Sequence, residues 1–407
     1  MDHVWFLAAF WLALAVTAGL VAARIGIAVA LVEIVLGVIG QAIALHVLGP
    51  DGLSAKEGWI SFLAGLGAIL LTFLAGAELE PSALREQGKR ATAIGLAAFF
   101  VPFLACAGAA RRFLGWSPEA SWLAGIALSA TSVAVLYTVL LELGLNRTAY
   151  GKGLLVACFI NDLTAVLMLG FLFAPFGWRM AIFALGLLAG VWGITRSAPM
   201  IFRRFGERPS KVDLKYLLFG LFALGGLAVW AGSEAVLPAY ILGMALAGTL
   251  GKEERFLGGV RAVTLGLLTP FYFLRAGSFV QLPALAASAG AVLLLFLVQQ
   301  AAKFAGVFPI VCRREKREGA YTTLLMSTGL TFNVICCLYG LSHSLITQSQ
   351  YSILVSTIIA TAVIPTWVAN RFFLPVSSVA AGFQPARGVG LPELPNPSPN
   401  GTRAEEP

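Results

Sequence analysis

The chain has 407 residues, of which 58% are hydrophobic and only 12% are Asp, Glu, Lys or Arg. Soluble domains carry about 25% charged residues, so this balance excludes an ordinary globular protein and points to a polytopic membrane protein. The net charge of +8 then matters for which side of a bilayer the positive residues occupy, not for a nucleic-acid partner.

The N-terminus, "MDHVWFLAAF", has no basic region and no small-residue cleavage site, so it reads as a first spanning helix and not a signal peptide. Apolar stretches long enough to cross a bilayer follow in order at 4–23, 27–47, 58–77, 91–110, 118–142, 150–174, 178–195, 214–231, 234–250, 260–280, 284–311, 320–343 and 351–374. Short breaks rich in Pro, Gly and charge separate them, such as "LGPDGLSAKEG" and "RREKREG". The expected fold is therefore all-α, with about 13 transmembrane helices. Residues 376–407, rich in Pro, Gly, Asn and Glu, are expected to be a disordered tail.

Charge sets the orientation. With the N-terminus outside, 22 of the 28 Lys and Arg fall on the inner side. Only Lys56, Arg111, Arg112 and Arg179 fall outside, and Arg275 and Lys303 lie within spans. The positive-inside rule then puts the N-terminus outside and the C-terminus in the cytoplasm.

A repeat is visible in the helices. "EIVLGVIGQ" (33–41) matches "YILGMALAG" (240–248), and "TFLAGAELE" (72–80) matches "FYFLRAGSFV" (271–280). The second and third spans thus pair with the ninth and tenth, a register of seven helices. A shift by an odd number of spans reverses direction, giving two six-helix inverted repeats joined by a linker helix. Secondary transporters use this architecture, with the ion site near the midplane.

The polar groups inside the spans carry the chemistry. Asn161 and Asp162 sit side by side in "ACFINDLTAV". An intramembrane carboxylate is costly and marks a functional site. Desolvation disfavours its charged form, so such a group can hold either a proton or a hard monovalent cation, with Asn161 offering a carbonyl oxygen beside it. The fifth span carries Ser129, Thr131 and Ser132 in "IALSATSVAVLY". The twelfth carries Ser327, Thr328, Gly329, Thr331 and Asn333 in "MSTGLTFNVICC". Matching polar interruptions in the two halves point to two broken helices lining a transport site. Lys303 lies deep in the eleventh span, where it could balance an empty carboxylate. Arg275, in the tenth, either compensates charge or snorkels to the outer surface. Glu33 is expected to pair with Arg24 near the inner surface, and Glu78 and Glu142 to be interfacial. Cys106, Cys158, Cys312, Cys336 and Cys337 show no metal or redox spacing, three histidines are too few for a metal cluster, and no nucleotide-binding loop occurs. No cofactor, nucleotide or nucleic acid is expected, and an enzyme would need a clustered nucleophile and base.

Taken in order, "LVEIVLGVIGQ", "LGPDGL", "LLTFLAGAELEPSAL", "SATSVAV", "FINDLTAV", "AYILGMALAG", "PFYFLRAGS", "KFAG" and "ILVSTIIATAVIPTWVANRF" resemble the monovalent cation:proton antiporter superfamily, in its bacterial sodium/proton and Kef-type branches, over most of residues 1–375. The resemblance implies a homodimer in a bacterial inner membrane. It implies scaffold helices in 1–80 and 214–281, a moving core in 91–174 and 284–374, and a linker in 178–213. The fifth and twelfth spans would be broken and crossing, and the core would move like an elevator. The family's ion-binding aspartate maps onto Asp162 and its crossing-region lysine onto Lys303. Asparagine at position 161, where electrogenic members carry aspartate, implies electroneutral exchange. Lys303 usually accompanies a double-aspartate pair, and Arg275 stands where many relatives are uncharged. The Kef-type nucleotide-binding domain is not expected. The function so implied is exchange of Na⁺, Li⁺ or K⁺ for H⁺. Its alternatives are a Kef-type K⁺/H⁺ efflux protein and a sodium-coupled organic-anion symporter.

Overall fold

A computed structural model describes residues 2–25, 28–47, 52–77, 81–142, 145, 148–173, 177–205, 210–233, 235–250, 253–281, 288–312 and 316–373. Glu78, the side chain of Glu142 and the tail at 376–407 lie outside what is described. The described residues are helical, with no strand among them.

The helices are α1 (Asp2–Ile25), α2 (Val29–Val47), α3 (Gly58–Ala77), α4 (Pro81–Phe113), α5 (Pro118–Ser129), α6 (Val133–Glu142), α7 (Ala149–Phe173), α8 (Trp178–Phe205), α9 (Val212–Trp230), α10 (Val236–Leu250), α11 (Glu254–Val263) and α12 (Thr269–Ser278). They continue with α13 (Ala289–Val311), α14 (Lys316–Met326), α15 (Thr331–Ser342) and α16 (Gln348–Phe372). A π-helical turn, Thr264–Leu268, joins α11 to α12. Eleven helical segments are long and apolar enough to cross a membrane. Two further apolar segments are the α5–α6 pair and the shorter α10.

Several helices run past the apolar stretch that marks them. The seventh segment, expected at 178–195, continues as α8 to Phe205. Thr195 and Ser197 return their hydroxyls to carbonyls one turn back, and Arg203 and Arg204 end the helix. Side-chain bonds of this kind satisfy polar groups without breaking the helix. Other ends are set by local chemistry. Ser117 caps α5 by accepting from the Ala120 N–H, with Pro118 following it. Thr347 and Gln350 form a reciprocal capping box at α16.

Membrane helices have little hydrophobic drive to associate with one another, so close approach through small residues replaces it. The closest packings here have a common pattern. A Cβ at Gly37 in α2 would collide with the Leu274 carbonyl of α12, and one at Gly277 in α12 with the Ile34 carbonyl of α2. A Cβ at Gly243 in α10 would collide with the Phe73 carbonyl of α3, and one at Gly76 in α3 with the Tyr240 carbonyl of α10. In each pair a glycine rests on the carbonyl three residues before the partner's glycine. The α2–α12 and α3–α10 contacts are thus the same contact made twice. Elsewhere, α4 packs against α5, α7 and α13, and α16 packs against α13, α14 and α15.

Candidate functional site

The polar residues singled out in the sequence meet where two helices stop. After Ser129 the chain turns extended, with Ala130 at φ −63° and ψ 149°, and resumes as α6. After Met326 it leaves the helix again and restarts at Thr331, with Leu330 at φ −154° and ψ −72°. Ser and Thr offer the backbone alternative hydrogen bonds. At Gly329 any side chain would run into the amide of Asn333.

A helix that ends inside a membrane leaves carbonyls without helical partners, and each unsatisfied group there is costly. The crossing satisfies them in trans. The Thr131 hydroxyl donates to the Met326 carbonyl at 2.8 Å, and the Ser132 N–H donates to the Thr328 carbonyl at 2.7 Å. Asn333 Nδ2 donates to the carbonyls of Ala127 at 2.6 Å and Ala130 at 3.0 Å. Gln299 Nε2 donates to the Ser327 carbonyl at 3.0 Å. Lys303 Nζ donates to the Ser129 carbonyl at 2.7 Å and to Thr131 Oγ1 at 3.0 Å. Its charge sits at the C-terminal end of α5, where the helix dipole favours a cation. Lys303 is fully buried, as are Ser129, Thr131, Ser132, Asn161, Ser327 and Thr328.

Asn161 belongs to the same network. Its Oδ1 accepts the Thr131 N–H at 2.8 Å, and its Nδ2 donates to the Ser129 carbonyl at 3.3 Å and the Gly95 carbonyl at 3.5 Å. The carbonyl oxygen expected to face a cation is engaged by the start of α6. Next to it, Asp162 is 5% exposed and its Oδ1 has no hydrogen-bond partner. Lys303 is within electrostatic reach of that carboxylate. The arrangement can therefore hold a proton or a small cation at one carboxylate, with the Lys303 amine nearby.

Two sequence expectations are corrected. Arg275 does not join the crossing. Its Nε donates to the Ala55 carbonyl at 2.9 Å, its Nη2 donates to Ser61 Oγ at 3.0 Å, and its guanidinium stacks over Phe279. Ala55 lies in the loop between α2 and α3 and Ser61 in the first turn of α3, so Arg275 ties that corner to α12. Glu33 does not pair with Arg24: Glu33 is buried in α2 and Arg24 is exposed at the end of α1.

Three participants were not singled out in the sequence. Gln299 lies four residues before Lys303, hence on the same helical face, and that polar pair in an apolar span was a usable signal. Gly95 contributes only backbone, which no composition reveals. Tyr240 of α10 donates its hydroxyl to the Phe159 carbonyl at 3.1 Å and stacks on the Phe159 ring at 5.2 Å.

Comparisons with known proteins bear on the fold and the family. A Methanocaldococcus jannaschii sodium proton antiporter, MjNhaP1, solved at pH 8, superposes with a TM-score of 0.67. It shares 17% identity, and the match covers 92% of this chain and 99% of that one, so the fold is shared. Cation/H(+) antiporter 20 of Arabidopsis thaliana is 25% identical over 86% of this chain and 46% of its own length. Probable Na(+)/H(+) antiporter 3 of Methanocaldococcus jannaschii is 26% identical over 58% of this chain and 63% of its own. The chain thus spans about half to two-thirds of the length of these two relatives. The transmembrane family described as sodium/hydrogen exchanger matches residues 12–372, and with nearly the whole helical region covered, the chain belongs to that family.

Proposed function

We propose that the chain is a secondary antiporter exchanging Na⁺, with Li⁺ or K⁺ as alternative cargo, for H⁺, and that both ions compete for Asp162. The observation that carries this reading is the unpartnered Asp162 Oδ1, buried beside a crossing where the carbonyls of Ala127, Ser129, Met326 and Ser327 each accept a side-chain donor. A buried polar atom left free in a native structure calls for an explanation, and a carboxylate that must accept cargo supplies one. The names of the relatives support exchange as the activity.

In the cycle, Asp162 releases its proton on the cytoplasmic side and takes the cation. The site is re-exposed outside, where H⁺ displaces the cation. A compensated carboxylate crosses the barrier more easily than an empty one, which couples the two ions. Asn161 carries no charge and its amide is held by the break, so a single carboxylate titrates. Exchange of one cation for one proton, electrically neutral, follows from that count provided Lys303 keeps one charge state through the cycle. Ser129, Thr131, Ser132 and the Thr328–Gly329–Asn333 break hold the crossing's shape, and Lys303 offsets the carboxylate's charge.

The motion we infer is elevator-like. The helices of 91–174 and 284–374 move as a core against a scaffold of 1–80 and 214–281, with 178–213 as linker. The doubled glycine contacts, α2 on α12 and α3 on α10, support a scaffold built from two inverted repeats in a thirteen-span chain. The remaining parts of the reading are a homodimer in a bacterial inner membrane with the N-terminus outside. A K⁺/H⁺ efflux role of Kef type differs only in cargo. An organic-anion symporter fits less well, because the crossing is packed with side chains.

The test is a pH-sensitive dye in proteoliposomes, with Na⁺, Li⁺ and K⁺ supplied in turn, with and without a membrane-potential clamp. Asp162→Asn should lose all cation-driven proton movement. Normal exchange by that variant removes Asp162 from the mechanism, and a rate that follows the clamped potential removes electroneutrality.

A further inference from the structure

Tyr240 lies outside the crossing, yet it touches the helix that carries Asp162. It is 1% exposed on α10, among the scaffold helices of the proposed division. Its own backbone is fixed: Gly76 of α3 rests on the Tyr240 carbonyl, and Gly243 one turn on rests on α3 in return. The side chain projects the other way, onto α7, where its ring stacks on Phe159 at 5.2 Å with planes 21° apart. Its hydroxyl reaches the Phe159 carbonyl at 3.1 Å. Asp162 follows Phe159 by three residues and is adjacent to it on the helix surface. The Tyr240 hydroxyl is within electrostatic reach of the carboxylate.

Farther along the same two helices the surfaces are apolar. Val166, Leu169 and Gly170 of α7 and Val236 and Leu237 of α10 border a void of about 10 Å³, closed by Ser233, Phe332 and Tyr339 from outside these two helices. That stretch can slide with little loss, whereas a tyrosine hydroxyl cannot. A buried phenolic O–H needs a partner, and a carbonyl that already serves its own helix can accept a second bond.

We propose that Tyr240 is a positioning residue through which the scaffold holds the ion-site helix, setting the balance between the two exposures of Asp162. The inference rests on the antiport reading and its division into core and scaffold. In the position seen, the hydroxyl is bonded. Once α7 slides away it is left buried without that acceptor, so the hydroxyl favours the position seen over the displaced one. Removing it shifts the balance toward the displaced position, by about fivefold for one net hydrogen bond.

Tyr240→Phe, which keeps the stacked ring, tests this. The full-length variant and the parent chain are compared in right-side-out and everted vesicles, and the half-saturating Na⁺ concentration is measured from each face. The ratio of the two values should change by about fivefold, with the thermal midpoint within a few degrees of the parent. A purely structural tyrosine would lower the maximal rate and leave the ratio unchanged, and that result overturns the proposal. Equal shifts on both faces also overturn it, because the hydroxyl would then act on cation binding. Failure of Tyr240→Phe to accumulate does the same, since the hydroxyl would be needed for folding. Exchange by Asp162→Asn would instead sink the underlying antiport reading.

Discussion

The glycine-locked helix pairs and the broken-helix crossing solve the same problem in opposite ways. Both bring helices close together in a solvent that gives them little reason to associate. At α2–α12 and α3–α10, side chains are absent and backbones touch. The contacts themselves are glycine against main-chain carbonyl. At the crossing, side chains are present in order to replace missing helical bonds, from Gln299, Lys303, Asn333 and Thr131. Among the described residues, three buried polar side-chain atoms have no partner: Asp162 Oδ1 and Asn333 Oδ1 at the crossing, and the Tyr272 hydroxyl on α12. The lesson is a division of labour, in which the locked pairs gain closeness from absent side chains and the crossing gathers the polar ones.

That contrast can be broken from either side. The largest effect after Asp162→Asn is expected at Lys303. Lys303→Ala removes the donor to Ser129 and the charge that balances Asp162. Taking one partner from a buried charged network costs on the order of 3 kcal/mol. Dye assays should show exchange reduced at least about tenfold, together with a lower thermal midpoint. Parent-like rates at every pH would remove Lys303 from the mechanism.

A smaller and different effect is expected in the locked pairs. Gly243→Ala drives a methyl into the Phe73 carbonyl, and overpacking of this kind costs about 1–3 kcal/mol. The thermal midpoint should fall while exchange per folded molecule is kept. Gly37→Ala, the matching change in the other pair, should give a drop of similar size, and unequal drops would argue against an internal repeat.

The smallest effect is expected at Arg275. Arg275→Gln loses bonds to Ala55 and Ser61, worth about 1 kcal/mol net, and should leave ion stoichiometry and cation preference unchanged. A change in stoichiometry would return Arg275 to the ion site.

Much of this was legible in the residue order. Apolar runs of about 20 residues name the membrane helices because a bilayer demands that length. Ser129–Ser132 and Ser327–Asn333 name the breaks because those residues compete with helical bonds in otherwise apolar surroundings. Even the locked pairs leave a trace, in the repeated "LG" of 36–37 and 242–243. Other features were hidden because they depend on atoms distant in sequence. Arg275 looks free for charge compensation until the Ala55 carbonyl, 220 residues away, is beside it. The bond from the Thr131 N–H to the Asn161 oxygen, across 30 residues, is equally invisible in the residue order. Tyr240 is one aromatic among many until its hydroxyl is seen on α7. Hydropathy specifies where a helix runs, but carries no information on which neighbour will accept a given proton.

The π-helical turn between α11 and α12 has a consequence for residue number. Thr264–Leu268 inserts slack into an otherwise continuous rod, and everything after it is rotated relative to an unbroken α-helix. Each residue advances an α-helix by about 100°. Deleting a single position there would swing Gly277 off Ile34 and Arg275 off Ala55 without altering either side chain. Docking of α12 therefore depends on how many residues precede it as well as on which ones they are.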